Sequence, residues 1–219
     1  MIAALDTSTQ WCSLALYDPS DGVRVEQTWL AGREQTREVL PTLQAMLQRY
    51  RLAPADLRGV AVATGPGSFT GLRVGLATAK GLAYALDIPI WGIPTLDVLG
   101  YAQMAVTAAP VCAVLHAGRS RLVHAFYRTR GGVWQRITDY TNSTVAELIA
   151  AVDTPTIFCG EIDPAVAQEL ESGLGRLASV APPAASLRRA GYLAELAWQR
   201  AQGGERDDLA QLQALYLEQ

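Results

Sequence analysis

Cysteine, histidine and lysine are all scarce in this 219-residue chain. The three cysteines, Cys12, Cys112 and Cys159, are odd in number and far apart. That excludes a disulfide scaffold and a zinc pair of the C-x-x-C kind, and they read as small core residues. Lys80 is the only lysine, and a formal net charge of −3 leaves no basic surface to grip nucleic acid unaided. No window approaches the roughly 20 apolar residues of a membrane-spanning helix. The start, Met1-Ile-Ala-Ala-Leu-Asp6, has no basic stretch and no small-residue cleavage site, so no secretory signal is expected and a cytoplasmic location is. Half of the residues are hydrophobic and 18% are charged, which is too apolar for disorder.

What is present alternates between strand and helix patterns. Ile2 to Asp6, Cys12 to Asp18 and Val23 to Leu30 predict three strands, with the turn cluster Asp18-Pro-Ser-Asp-Gly22 between the last two. Thr36 caps a helix to Tyr50 in which Pro41 removes one donor, and Val60 to Ala63 is a buried strand. Ser68 caps a long helix to Leu86; Ile88 to Ile93 is a strand, and Thr95 opens a helix to Thr107. Past Ala108-Ala-Pro110 the order repeats: strands at Val111 to Leu115, Leu122 to Thr129 and Val133 to Tyr140, then a helix from Ser143 or Thr144 to Val152. The strand Thr156 to Cys159, a short helix Pro164 to Leu170, a strand at Leu177 to Ala181 and a helix Leu187 to Ala201 follow. Two runs of β-β-β-α-β-α predict an α/β protein of two ribonuclease-H-like halves of the actin-like ATPase type. Each half is a mixed β-sheet with flanking helices, divided as 1–108 and 109–219.

The segment Gly65-Pro-Gly-Ser-Phe-Thr-Gly-Leu-Arg-Val-Gly75 joins a strand to a helix and is a candidate anion site. It lacks the Gly-Lys-Ser/Thr ending of a P-loop, and Thr70 stands where a dinucleotide fingerprint needs a small residue. Gly67-Ser68-Phe69 is not the G-x-S-x-G of a hydrolase elbow, so no peptidase chemistry is expected. Together with Asp6, Thr7 and Ser8, the residues Gly65, Gly67 and Ser68 form a candidate nucleotide or anion site, with a strand-end turn satisfied by its own hydrogen bonds as the alternative.

The helix after the loop has Gly71, Gly75, Ala79 and Ala83 four apart, a smooth ridge with little polar surface beside it. With Leu72 and Leu76, and with Val39, Leu43, Met46, Leu47 and Tyr50 of the preceding helix, the ridge predicts a face that receives a partner. The alternative is a helix central in its own domain. Alone, such a face predicts a homodimer.

These residues also carry a resemblance. Ile2 to Thr9, Ala63 to Gly75, Lys80-Gly-Leu-Ala83 and Ile90-Trp-Gly-Ile-Pro-Thr-Leu96 resemble the TsaB (YeaZ) family in order and spacing. The match is close over the first 100 residues and loose beyond. The resemblance implies a part in making N6-threonylcarbamoyladenosine at position 37 of tRNAs that read codons beginning with A. It implies a non-catalytic subunit paired, through its first two helices, with a TsaD-type enzyme that carries metal, nucleotide and transfer chemistry. A TsaE-type ATPase joins the pair, and tRNA is reached only through the complex.

Thr95 and Leu99 stand where TsaD relatives carry a metal-binding histidine pair, so no metal and no resident cofactor are expected, a weak ATP or ADP site at Asp6 being the alternative. The two histidines, His116 and His124, read as structural or surface groups, and His116-Ala-Gly118 replaces the family's Asp-Ala-Arg. Gln35 replaces a histidine of the family's Arg-Glu-His-Thr, and Leu215-Tyr-Leu-Glu218 only partly matches its closing segment. Two rivals remain: an independent ATP-dependent enzyme of the same fold acting on a small molecule, and direct tRNA binding through Arg33, Arg37 and Arg73.

Overall fold

In the computed structural model, residues 1–104, 107–118 and 121–217 are described. They form two compact units. The first comprises residues 1–95 and 188–216, and the second 96–187 with Leu217.

The first unit is built on a sheet ordered β3-β2-β1-β4-β5. Strand β1 (Ile2–Asp6) is central, antiparallel to β2 (Trp11–Asp18) and parallel to β4 (Gly59–Gly65). Its five residues are all buried, as the continuous apolar run Ile-Ala-Ala-Leu requires of a strand covered on both faces. Strand β3 (Gly22–Leu30) is the more exposed edge, and β5 (Ile90–Pro94) closes the other side. Alternation along β2 sorts the layers: Cys12, Leu14 and Leu16 enter the core shared with α1 (Gln35–Arg49) and α2 (Phe69–Leu86), while Ser13 accepts a hydrogen bond from Ala190 N at 2.9 Å. Ala190 begins α6 (Ala190–Gln202), whose small buried residues let it lie close to β1 and β2. Glu26 of β3 fixes that start, bonding Gly191 N at 2.7 Å and pairing with Arg189.

The second unit has the order β11-β10-β6-β7-β8. These are β6 (Val111–His116), β7 (Leu122–Arg130), β8 (Val133–Arg136), β10 (Thr156–Gly160) and β11 (Ala178–Val180), and β9 (Thr141–Ser143) pairs separately with β7. Val111, Ala113 and Leu115 of β6 pack with Leu96 and Leu99 of α3 (Thr95–Met104). Cys112 and Val114 pack with α4 (Val145–Ala150) and α5 (Pro164–Leu174). A capping box between Thr144 and Glu147 starts α4, and Asp163 caps α5.

The two mixed sheets with flanking helices are the predicted class. The division differs from 1–108 and 109–219 at both ends. Leu96 and Leu99 bury against the second sheet, so the boundary falls at the start of α3, and α6 returns to the first sheet. The strand expected over Val133 to Tyr140 ends at Arg136, as β8; residues 137–140 connect it, with Thr138 Oγ1 accepting from Phe126 N at 3.0 Å, to β9, which begins at Thr141 beyond the expected range. Helix α3 is assigned to Met104, and residues 105 and 106 of its expected course lie outside the described residues.

Candidate functional site

The first unit concentrates its polar groups where β1 and β4 end. Asp6 folds back on its own turn: Oδ1 accepts from Ser8 N at 2.9 Å and from Ser8 Oγ at 2.6 Å. Its other oxygen, Oδ2, lies 3.7 Å from Nε of Arg188, and Arg188 Nη2 also donates to Thr9 Oγ1. Both members of this ion pair are buried. An arginine thus stands beside the acid on which the nucleotide-site expectation rests. Gln35, at the start of α1, donates its amide to the carbonyls of Thr7 and Thr9, which accounts for a buried amide at this position.

The glycine-rich loop closes on the same turn. Ser68 N donates to Ser8 O at 2.6 Å, and Thr7 Oγ1 donates to Gly71 O at 2.7 Å. A Cβ at Gly67 would collide with Ser8 O, at Gly71 with Thr7 O, and at Gly75 with Thr7 Oγ1. Those glycines are therefore required by the fold of this unit itself. Gly65, at φ +108°, is wedged between Leu72 and the carbonyl of Leu215. Ser68 caps α2 through Gly71 N at 3.3 Å, as its position predicts, and Gly67, Ser68, Phe69 and Thr70 are exposed. The structure therefore brings Asp6, Thr7, Ser8, Gly65, Gly67 and Ser68 together. Ser8 bonds Asp6 Oδ1, Ser68 bonds Ser8 and Gln35 bonds Thr7, while Asp6 Oδ2 has Arg188 as its ion-pair partner without a hydrogen bond and Gly65 packs against Leu72 and Leu215.

The partner face is placed differently from its expectation. Val39, Leu43, Met46, Leu47, Gly71, Leu72, Gly75, Leu76, Ala79 and Ala83 are all buried within the first unit, and only Tyr50, 36% exposed, is open. The ridge of small residues faces inward because Gly71 and Gly75 must pass the Thr7 backbone and hydroxyl. The surface that α1 and α2 present instead carries Leu40, Pro41, Gln44 and Ala45, and Arg73, Ala77, Gly81, Tyr84 and Ala85. Tyr84 is 80% exposed, and a Cβ at Gly81 would meet open space.

Sequence reasoning missed the C-terminal strap. Asp207 pairs with Ile90 and accepts from Gly92 N at 2.7 Å, Arg200 holds both its carboxylate oxygens at 2.9 Å, and Leu215 N reaches Thr64 O at 2.7 Å. Tyr216 then lies 5.5 Å from the Phe69 ring, over which Arg73 stacks at 3.7 Å. Glu218 lies outside the described residues. The Arg-x6-Asp spacing on a polar tail is the one signal that points to this anchor.

The remaining candidates are accounted for locally. Thr95 and Leu99 are buried at the start of α3 and offer no imidazole. His116 is exposed, 3.6 Å from Asp163 Oδ2, and His124 is buried with Nε2 2.9 Å from Ser143 Oγ. Burial pushes the thiols of Cys12 and Cys159 up to about 12, and for Cys12 Asp6 and Glu38 add to the effect. These cysteines stay protonated and unreactive.

Two mixed sheets of this order, with the strand-end turn and the glycine-rich loop at the head of α2, define a protein of the actin-like, ribonuclease-H-type class. The fold is shared with the ethanolamine utilization protein EutJ of Carboxydothermus hydrogenoformans, at a TM-score of 0.51 and 13% identity over 88% of both chains. A far closer likeness is to a Pseudomonas aeruginosa protein described as similar to the peptidase YeaZ, with a TM-score of 0.83 and 23% identity over 99% of both chains. Residues 27–215 match the family model "TsaD: tRNA N6-adenosine threonylcarbamoyltransferase". The tRNA threonylcarbamoyladenosine biosynthesis protein TsaB of Bacillus subtilis is 30% identical over 80% of this chain and 76% of its own length. Its Escherichia coli namesake is 35% identical over 61% of this chain and 58% of its own length. The chain belongs to the TsaB (YeaZ) branch of the family that this model describes.

Proposed function

We propose that the chain serves the formation of N6-threonylcarbamoyladenosine at position 37 of tRNAs reading ANN codons, as the non-catalytic partner of a TsaD-type transferase in the cytoplasm. The observation that carries this reading is the state of the Asp6 turn. In a chain of the TsaB family, the groups that would do chemistry at the strand ends are engaged with one another and with Arg188. Thr95 and Leu99 supply no metal ligand in place of the transferase's histidines, so the chemistry belongs to the partner. The surface offered to that partner is the exposed stripe of α1 and α2, small and apolar around Ala77, Gly81 and Tyr84. The same stripe closes a homodimer when the chain is alone. A TsaE-type ATPase joins the pair, tRNA is held only through the complex, and the chain itself keeps no resident cofactor.

Size exclusion with multi-angle light scattering, on the chain alone and mixed with a TsaD-type protein from the same source, tests the pairing. A homodimer that exchanges into a one-to-one mixed species is expected, and Gly81→Arg or Tyr84→Glu abolishes both without lowering the melting temperature. Unchanged pairing in these two variants removes the proposed surface. A Gly75→Leu change would not serve this purpose, because its side chain would strike Thr7 inside the unit. Calorimetric heat from ATP with Mg²⁺ at millimolar concentration would overturn the absence of a resident nucleotide and revive the ATP-dependent enzyme.

A further inference from the structure

The second unit contains a cavity of about 360 Å³, lined by residues of and around β7, β9 and α4, that the pairing role does not use. Its volume falls within the range of small-molecule sites, about 300 to 1,000 Å³. Arg121 stands on its wall with the guanidinium held in place: Nε donates to Asn142 Oδ1 at 2.8 Å and Nη2 to Asn142 O at 2.7 Å. Its Nη1 has no partner among the described residues. Glu147 lines the same cavity, and its Oε2 accepts from Thr144 N at 2.8 Å and Thr144 Oγ1 at 3.0 Å, leaving Oε1 open. Those two bonds hold its carboxyl below the usual range, with a smaller contribution from Arg121, so it is ionised at neutral pH. Yet Arg121 and Glu147 form no ion pair among the described residues. Two opposite charges therefore face one cavity without a direct ion pair between them.

Between them the wall is uncharged. His124 is buried and neutral, its Nε2 paired with Ser143 Oγ at 2.9 Å and its Nδ1 without a hydrogen-bond partner. Phe126 meets that ring edge-on with centroids 5.7 Å apart, and Ala151 is exposed on the rim. A lone inorganic anion would satisfy Arg121 and be repelled by Glu147; a lone cation would meet the reverse. A zwitterion satisfies both. We propose that this cavity binds a free α-amino acid, its carboxylate on Arg121, its ammonium on Glu147 and a modest apolar side chain against Phe126. The site is separate from the pairing surface and goes beyond the role proposed above.

The full chain, labelled with ¹⁵N, is titrated with glycine and with L-leucine, and with acetate and methylammonium as single-charge controls. With two histidines in the sequence, the imidazole signals of His124 and His116 are separable. The expected result is a saturable shift of the His124 imidazole and of the Phe126 and Asn142 amides while His116 stays still. L-Leucine half-saturates at about 1 mM, and acetate and methylammonium bind more weakly by about tenfold or more, one charge pair being lost in each. Arg121→Gln weakens L-leucine about tenfold or more. Ala151→Phe blocks the rim, leaves Arg121 and Asn142 untouched and removes binding, so the test survives if the first variant folds poorly. Absence of any saturable shift up to about 20 mM amino acid, a free energy too small for a built site, overturns the proposal. So does acetate binding as tightly as L-leucine, or binding unchanged by Ala151→Phe.

Discussion

Asp6 is almost wholly buried and Arg188 is the cation beside it, so the charge of Asp6 depends on that arginine. Removing one partner of a buried pair leaves the other uncompensated, at a cost of about 3 to 5 kcal/mol. Arg188→Met is expected to lose stability on that scale in urea unfolding, and Arg188→Met with Asp6→Ala to recover a good part of it. Additive losses would show that the pair is not coupled. His124 makes a different prediction. Burial lowers its pKa to about 4, so the folded chain binds its proton less readily than the unfolded chain, whose histidine titrates near 6.5. Stability from this residue is complete above about pH 6.5 and is lost as pH falls from there through about 4, on the order of 3 kcal/mol in all. His124→Gln should flatten the stability profile between those limits. An unchanged slope would place the titration elsewhere. Neither role was legible from sequence. Arg188 lies 182 positions from Asp6, and nothing in the spacing of His124 and Ser143 announces β9.

Helix α2 carries two kinds of glycine, and they predict opposite signs. At Gly75 an added Cβ would meet the Thr7 hydroxyl that bonds Gly71 O, so Gly75→Ala should cost about 1 to 3 kcal/mol as an overpacked core site. At Gly81 a Cβ meets open space within a regular helix, so Gly81→Ala should gain about 0.5 to 1 kcal/mol from helix propensity. Thermal or urea unfolding of the two variants side by side decides the matter, and a shared sign would refute the placement. Periodicity and caps made the helix readable: Ser68 is its N-cap and Leu86 its last residue, as the pattern predicts. They could not say which way the ridge faces. A row of Gly and Ala at spacing four permits close approach to a partner helix or to the chain's own strand-end turn, and the deciding contact, Thr7, lies 64 residues from Gly71. Strand β1 was readable because a fully buried strand is apolar throughout, whereas β9 is short and polar. The strap was invisible for a related reason. Its attachment is backbone bonding plus the Arg200–Asp207 pair, which leaves no periodic apolar pattern.

The order of elements along the chain suggests two consecutive halves, but the buried surfaces assign them differently. Leu193, Ala194, Leu196 and Ala197 of α6 are buried in the first unit, where two leucines alone contribute about 1.5 to 3 kcal/mol each. Arg188 and Ser13's bond to Ala190 join the same unit from the same segment. A fragment ending at residue 108 therefore carries a first sheet with one face uncovered and Asp6 without its cation. It should stay unfolded or aggregate. Residues 96–187 hold both apolar clusters of the second sheet, with α3 on one side and α4 and α5 on the other. That fragment should fold alone, with a cooperative thermal transition and dispersed amide signals. Supplying residues 188–216 in trans to 1–95 should restore helical circular dichroism and a cooperative transition that 1–95 lacks. Cooperative unfolding of 1–108 by itself would mean that α6 is dispensable to the first sheet, and the division of the chain would revert to two consecutive halves.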